Sequence, residues 1–416
     1  MGRFIIEGGR KLVGEIEIQG AKNAALPILA AAVMTGETVK VHNVPKLIDV
    51  DNMLKILRNL GVYAEQNGRT VTVKADKVNS HSIGNTLAKE LRSSVFLLGA
   101  VLSRKKCAVV AYPGGCDIGL RPIDIHIKAL KDLGVRIEEK AGYVYCDGSN
   151  AKAGEVCLDY PSVGATENVV LAATGLKGTS VIYNAAREPE IVELQNFLNS
   201  MGGKVRGAGT PRITVEGTEN LHGTEYKVMP DRIVAGTYLI AAIMNGGEIA
   251  LNGIKGTEIN SLLSKLSKNS CNITTDNGII YVKAKGRPKA INYISTQPYP
   301  GFPTDLQAPF MALQTISLGT CVLTENIFEN RFRHVPELRK MGADIIVKDK
   351  TAVIKGVSGL VGAEVYAQDL RGGAALVLAG LAAHGITVVN DVYHVDRGYE
   401  NMEKILTELG ANIIRV

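Results

Sequence analysis

The feature that most constrains this chain is a sixfold internal repeat. A helical pattern ending in Leu-Gly or Met-Gly recurs at Leu60-Gly61-Val62, Leu133-Gly134-Val135, Met201-Gly202-Gly203, Met341-Gly342-Ala343 and Leu409-Gly410-Ala411. A degenerate copy lies at Leu266 to Ile273. The step is about 70 residues, long for a solenoid unit but reasonable for a small α/β module. In each copy an apolar segment of helical period, such as Asn52 to Leu57, runs into the glycine. Glycine there supplies a left-handed helix end at low steric cost. Alternating residues follow, as in Arg69-Thr70-Val71-Thr72-Val73, and predict a strand.

A second pattern interleaves with the first. Ala-rich helices are predicted at Ala24 to Met34, Arg92 to Leu102, Thr166 to Ala173, Arg232 to Met244, Asp305 to Ile316 and Arg371 to Ala383. Each leads through a turn, usually at Gly, into a strand. They are apolar nearly all round and therefore expected to be buried, whereas the Lys- and Glu-bearing helices should lie outside. The expected architecture is α/β with helices inside and sheets outside, in two groups of three units. A parallel sheet with helices outside is the alternative. Crossings near Gly20-Ala21 and Met229-Pro230-Asp231 divide the chain into residues 1–21 plus 230–416 and residues 22–229. The 416 residues allow two or three domains.

Composition narrows the function classes. The net charge of +6 comes without a dense Lys/Arg run carrying interleaved aromatics, so no nucleic-acid partner is expected. The mild cationic excess fits either a small-anion site or an uninformative surface. Apolar stretches such as Ala374 to Ala383 are too short to span a bilayer, so no membrane association is expected. The start of the chain lacks a secretory pattern, and the six cysteines form no CxxC pair. They read as thiols of a reducing cytoplasm, with no metal site and no cofactor expected. No obligate protein partner is expected either.

Four stretches could carry chemistry. Pro113-Gly114-Gly115-Cys116-Asp117-Ile118-Gly119-Leu120-Arg121-Pro122 places a thiol beside Asp117 and Arg121 in a Gly-rich loop. A thiol near a cation is poised to ionise or donate a proton; an incidental Cys in a turn is the plainer reading. Lys22 and Asn23 sit where a strand meets the first Ala-rich helix, which suits an anion site or a solvated Lys equally. Arg92, Arg232, Arg331, Arg371 and Arg397 recur at the starts of repeated units. Their forks match carboxylate and phosphate oxygens, unless each pairs with a neighbouring acid. In Phe302-Pro303-Thr304-Asp305, Asp305 reads either as a helix N-cap or as a general base.

These motifs together resemble the UDP-N-acetylglucosamine enolpyruvyl transferase family. The matching stretches are Gly20 to Asn23, Gly114 to Asp124 (Gly-Gly-Cys with Arg-Pro-Ile-Asp), Ser162 to Thr166, Ala185 to Glu190, Phe302 to Asp305 and Phe328 to Arg331. They keep their order across essentially the whole chain. The resemblance implies a two-lobed inside-out α/β barrel of six βαβαββ-type repeats, three per lobe. It implies addition–elimination in the cleft between lobes, with phosphoenolpyruvate and UDP-N-acetylglucosamine as substrates. Cys116 matches the general acid. Lys22, Arg121 and Arg397 match cations around phosphate and carboxylate, with Asn23 beside them. Asp305 matches the carboxylate at the attacking hydroxyl, and Arg331 and Arg371 match further arginines. Arg92, the run Arg121, Pro122, Ile123, Asp124, Ile125, then Ser162, Val163, Gly164 and Ile327 match positions that hold the UDP-sugar. Tyr160 departs from the Lys of some members and offers no permanent charge there. The sister enzyme acting on shikimate 3-phosphate lacks such a Cys-bearing loop. A non-catalytic sugar-nucleotide binder would lack part of the Lys22, Cys116, Asp305, Arg397 set.

Overall fold

The glycines of the repeat all end a helix. Gly61, Gly134, Gly202, Gly342 and Gly410 have φ of +88°, +80°, +90°, +89° and +95°. A Cβ at these values would strain the backbone, so the Leu-Gly or Met-Gly pair is dictated by the turn out of the helix. The helices they close span Ile48–Asn59, Asp124–Asp132, Pro189–Ser200, Val335–Lys340 and Met402–Glu408. The sixth, at the degenerate copy, is Asn260–Leu266. The computed structural model describes residues 2–84, 92–112, 123–267 and 271–416, with Arg92 and Ser93 described as backbone only.

Among the described residues, six four-stranded sheets share one topology. A parallel pair takes one side and an antiparallel pair the other. In one sheet, Glu155–Cys157 runs parallel to Thr179–Tyr183, which pairs antiparallel with Arg212–Glu216, which pairs with Lys204–Arg206. Side chains alternate across each sheet: Ser180 and Ile182 point inward and are buried, while Thr179 faces out. One face of each sheet is therefore solvated, as antiparallel sheets allow.

The Ala-rich helices fill the interior. All thirteen residues of Arg232–Met244 are buried, as are Arg371 to Leu381 of Leu370–Ala382. Lys22–Ala31, Leu97–Lys105, Val163–Thr174 and Gln307–Thr315 play the same part. These bounds differ from the sequence pattern by a few residues. The segments Ala32–Met34, Arg92–Phe96 and Thr304–Leu306 are 3-10 turns at helix ends. The helix-inside arrangement holds and the parallel-sheet alternative does not. Small Ala and Gly side chains let these helices approach one another, and larger ones would overfill the interior.

The chain forms two compact units, residues 20–229 and residues 2–19 with 230–416. Each has its own core, from Ala21 to Val228 in one and from Phe4 to Ile413 in the other. In the second unit the N-terminal strand Phe4–Glu7 lies between Ile386–Asn390 and Asn412–Arg415 and completes the last repeat. In the first, Glu225–Lys227 returns beside Thr38–His42 and completes the first repeat. Gly20 marks the passage between units. A Cβ there would stand 1.7 Å from the Asn43 carbonyl oxygen, so no other residue fits. No helix among the described residues is long and apolar enough to cross a membrane.

Candidate active site

In the unit of residues 2–19 and 230–416, the starts of the three inner helices come together. Asp231 caps the first, accepting from the backbone N–H groups of Ile233 and Val234. Asp369 caps the third in the same way, through Arg371 and Gly372. Asp305 does not cap the second, against the N-cap reading. It lies inside the 3-10 turn Thr304–Leu306, and the helix proper starts at Gln307 with no side-chain cap. Its carboxylate is thereby spared for other work. It accepts from Arg331 Nη2 at 2.9 Å and from Arg371 Nη2 at 3.5 Å.

Both arginine side chains are only 3% exposed, whereas the Asp305 side chain is 30% exposed. Buried guanidiniums need partners for their donors. Arg331 Nη2 also donates to the Thr304 carbonyl at 3.2 Å. Nε of Arg331, and Nε and Nη1 of Arg371, reach no hydrogen-bond acceptor among the described residues. The Tyr399 ring lies 5.4 Å from the Arg371 guanidinium and the Phe328 ring 5.6 Å from that of Arg331. Two buried guanidiniums around a partly exposed carboxylate suit an anionic ligand and a proton for the carboxylate to take.

Behind Arg331 sits the buried His334 imidazole. Burial, reinforced by the Arg331 charge, lowers its pKa to about 4; the Asp369 charge and a hydrogen bond with the Arg331 backbone oppose this. The imidazole is therefore neutral near pH 7 and adds no charge to the arginines. Arg397 closes the 3-10 turn Val392–Arg397 and is half-buried. The buried Gln19 carboxamide holds the next residues, donating to the Gly398 carbonyl at 3.2 Å and accepting from Glu400 N at 2.8 Å. Arg331 and Arg397 thus precede outer helices, while Arg232 and Arg371 open inner ones.

In the unit of residues 20–229, Lys22 is the first residue of its inner helix and is buried. The solvated-Lys reading is overturned: its ammonium pairs with Asp49 at 3.0 Å, and that carboxylate is itself buried. Asn23 follows and is partly exposed. Ser162 caps the helix Val163–Thr174, its hydroxyl accepting from Ala165 N at 3.4 Å. A Cβ at Gly164 would meet Phe96 at 2.9 Å and His126 at 3.0 Å. This close approach brings Ser162, Val163 and Gly164 next to the helix Asp124–Asp132. There Ile123 is buried, Ile125 half-buried and Asp124 exposed. Asn168 locks the junction, with Nδ2 at 2.9 Å from His126 Nδ1 and donating to the Val95 carbonyl at 2.8 Å. Deeper in the helix, burial first, then Glu190 and Glu188, push the Glu167 carboxyl well up. Tyr160 is exposed, two residues before the cap.

Cys116, Arg121 and Pro122 lie outside the described residues, as does the Arg92 side chain. Sequence reasoning missed Asp49, His126, Asn168, Glu325, His334 and Gln19. His126 sits beside a matched motif and could have been flagged as a buried polar residue on an amphipathic helix, whereas Asp49 lies near no matched motif in the sequence. Gln19 and Asn168 gave no local signal. Among the described residues there is no group of three or more potential metal ligands.

Comparison with known proteins gives this geometry a lineage. Residues 6–406 match the family model for EPSP synthase (3-phosphoshikimate 1-carboxyvinyltransferase). A "UDP-N-acetylglucosamine 1-carboxyvinyltransferase 2" of Caldanaerobacter subterraneus subsp. tengcongensis is 51% identical, with 100% of each chain covered. The corresponding protein of Klebsiella pneumoniae (strain 342) is 47% identical over 100% of this chain and 99% of its own. Among solved structures, the enolpyruvyl transferase NikO from Streptomyces tendae aligns with a TM-score of 0.90 at 22% identity, covering 100% of this chain and 99% of that one. An EPSP synthase from Acinetobacter baumannii aligns at 0.77 and 20%, covering 100% of both. The two-lobed α/β fold of the enolpyruvyl transferases is thus the fold of this chain. The chain belongs to the 1-carboxyvinyltransferase family and is an enzyme of that class.

Proposed function

We propose that this enzyme transfers the enolpyruvyl group of phosphoenolpyruvate to the 3-hydroxyl of UDP-N-acetylglucosamine with release of phosphate, the first committed step of peptidoglycan synthesis. The observation that carries the reading is the partly exposed Asp305 carboxylate set between two buried guanidiniums. Full-length relatives named for this acceptor support the choice of sugar nucleotide.

The chemistry is an addition followed by an elimination. The sugar oxygen forms a bond to C2 of phosphoenolpyruvate as Asp305 takes its proton. The former C2–C3 π pair takes a proton at C3, for which Cys116 is the assigned acid. The intermediate then loses a C3 proton, the double bond re-forms, and the C2–O bond to phosphate breaks. No electrons are gained or lost overall, so the step itself requires no redox cofactor. Lys22, Arg121 and Arg397, with Asn23, are assigned to the phosphate and carboxylate; Arg331 and Arg371 are assigned to the charge that develops beside Asp305. Arg92, Arg121 to Ile125, Ser162 to Gly164 and Ile327 are assigned to the UDP-sugar. The N–H groups at the Val163 helix start suit a diphosphate. The same reading places the enzyme in the cytoplasm, in cell-wall growth and division, and among fosfomycin targets.

Phosphate release from phosphoenolpyruvate, measured with each acceptor in turn, tests the assignment. Release is expected with UDP-N-acetylglucosamine and not with shikimate 3-phosphate. The opposite preference would assign the chain to the sister reaction.

A further inference from the structure

Glu325 follows the strand Thr320–Thr324 and is 1% exposed. A carboxylate so placed must have its oxygens bonded. Oε1 accepts from Ile327 N at 2.8 Å and from Phe328 N at 3.2 Å. Oε2 accepts from the Thr304 hydroxyl at 3.0 Å. Its own N–H donates to the Lys350 carbonyl at 2.8 Å, which fixes the Glu325 backbone to the neighbouring hairpin. One buried side chain therefore ties two segments that are separate in sequence. One carries Ile327, assigned to the sugar nucleotide; the other carries Thr304 and, next to it, Asp305.

The second segment is held from two directions. Glu325 fixes the Thr304 hydroxyl, and Arg331 fixes the Thr304 carbonyl and the Asp305 carboxylate. With the Thr304 side chain released, the 3-10 turn could pivot about the Arg331 contacts. Asp305 would then keep its ion pair and lose its aim. A displacement of about 1 Å from a productive geometry can cost on the order of a hundredfold in rate.

We propose that Glu325 is a positioning residue that sets Asp305 and the Ile327–Phe328 turn in one frame, so that the base and the bound sugar hydroxyl are aligned. This rests on the assignment of Asp305 and Ile327 made above. Glu325 itself touches no reacting atom. Its two oxygens divide the work: Oε1 orders the turn that holds substrate, and Oε2 orders the segment that bears the base.

Four variants test the proposal, each with kcat and KM for UDP-N-acetylglucosamine measured on folded protein. Glu325→Ala removes both arms and is expected to lower kcat by about tenfold or more while raising KM. Glu325→Gln should recover most of that loss: its oxygen can accept from both backbone N–H groups while its amide donates to the Thr304 hydroxyl, which can turn to accept. Thr304→Val cuts only the Oε2 arm and should lower kcat with KM little changed. Asp305→Ala separates this proposal from the reading beneath it, and should lose most turnover. Wild-type kcat and KM in folded Glu325→Ala, beside an inactive Asp305→Ala, would overturn the positioning role alone. Wild-type kinetics in Asp305→Ala would overturn the base assignment and the positioning role with it. Should Glu325→Ala fail to fold, Thr304→Val decides: a kcat loss at constant KM supports the proposal, and an unchanged kcat overturns it.

Discussion

Burial pushes the thiols of Cys146 and Cys321 up to about 12 and that of Cys271 up to about 11. The thiolate is the nucleophile, so these three are poor targets for an alkylating agent at neutral pH. All five described cysteines lie in strands, and Cys157 is exposed at the end of Glu155–Cys157. Cys157 is therefore the internal control for the assignment of Cys116. Fosfomycin alkylates a thiol, whereas donating a proton to C3 needs only an acid at that position. Cys116→Asp is expected to keep enolpyruvyl transfer and escape inactivation, and Cys116→Ala to lose most turnover. Mass spectrometry after fosfomycin treatment should find the inactivating adduct on the Cys116 peptide. An adduct confined to Cys157, or full activity in Cys116→Ala, contradicts the assignment.

At the scale of elements, the turn before Val335–Lys340 packs a neutral imidazole against the start of an inner helix. A Cβ at Gly372 would stand 3.0 Å from the His334 Cβ and 2.7 Å from Asp369 Oδ2, so the two elements touch through a glycine. The His334 pKa falls from 6.5 to about 4 on folding. Between those values the unfolded chain binds the additional proton, so acidification favours unfolding. His334 should contribute a slope of up to about 1.4 kcal/mol per pH unit in that window, with stability lost as pH falls. Urea midpoints at pH 6.5 and pH 5 should separate more in the wild type than in His334→Gln. An equal separation in both would mean that the imidazole is not held neutral by the fold.

The repeats were legible because their signals are local. A glycine at a left-handed helix end, a 3.6-residue period before it and a two-residue period after it all lie within one short window. The boundary at Thr304 to Gln307 was misread because an acid before an apolar helix looks like a cap, and only the fold shows a 3-10 turn there. Lys22 could not be resolved either, since Asp49, the partner that makes its burial tolerable, lies 27 residues away. The link from Glu325 to Thr304 was silent for the same reason. Residue types at the site were visible in the sequence, and the hydrogen bonds that aim them were not.

For the whole molecule, the fold tolerates wide divergence. NikO and the Acinetobacter EPSP synthase align over this chain's full length at 22% and 20% identity. The choice of acceptor therefore belongs to side chains set on the scaffold, not to the scaffold. The N-terminal strand completes the last repeat, so each unit is finished by a strand far in sequence from its sheet neighbours. That architecture serves any member of the family, and the decisive property is the bond the enzyme makes. The most direct measurement is the product formed from phosphoenolpyruvate and UDP-N-acetylglucosamine in deuterated water, analysed by NMR and mass spectrometry. The account predicts an enolpyruvyl ether on the sugar 3-oxygen, one equivalent of phosphate, and deuterium at the vinyl carbon from the added and lost C3 proton. Unchanged UDP-N-acetylglucosamine, an ether at another oxygen, or a vinyl group that carries no deuterium would contradict it.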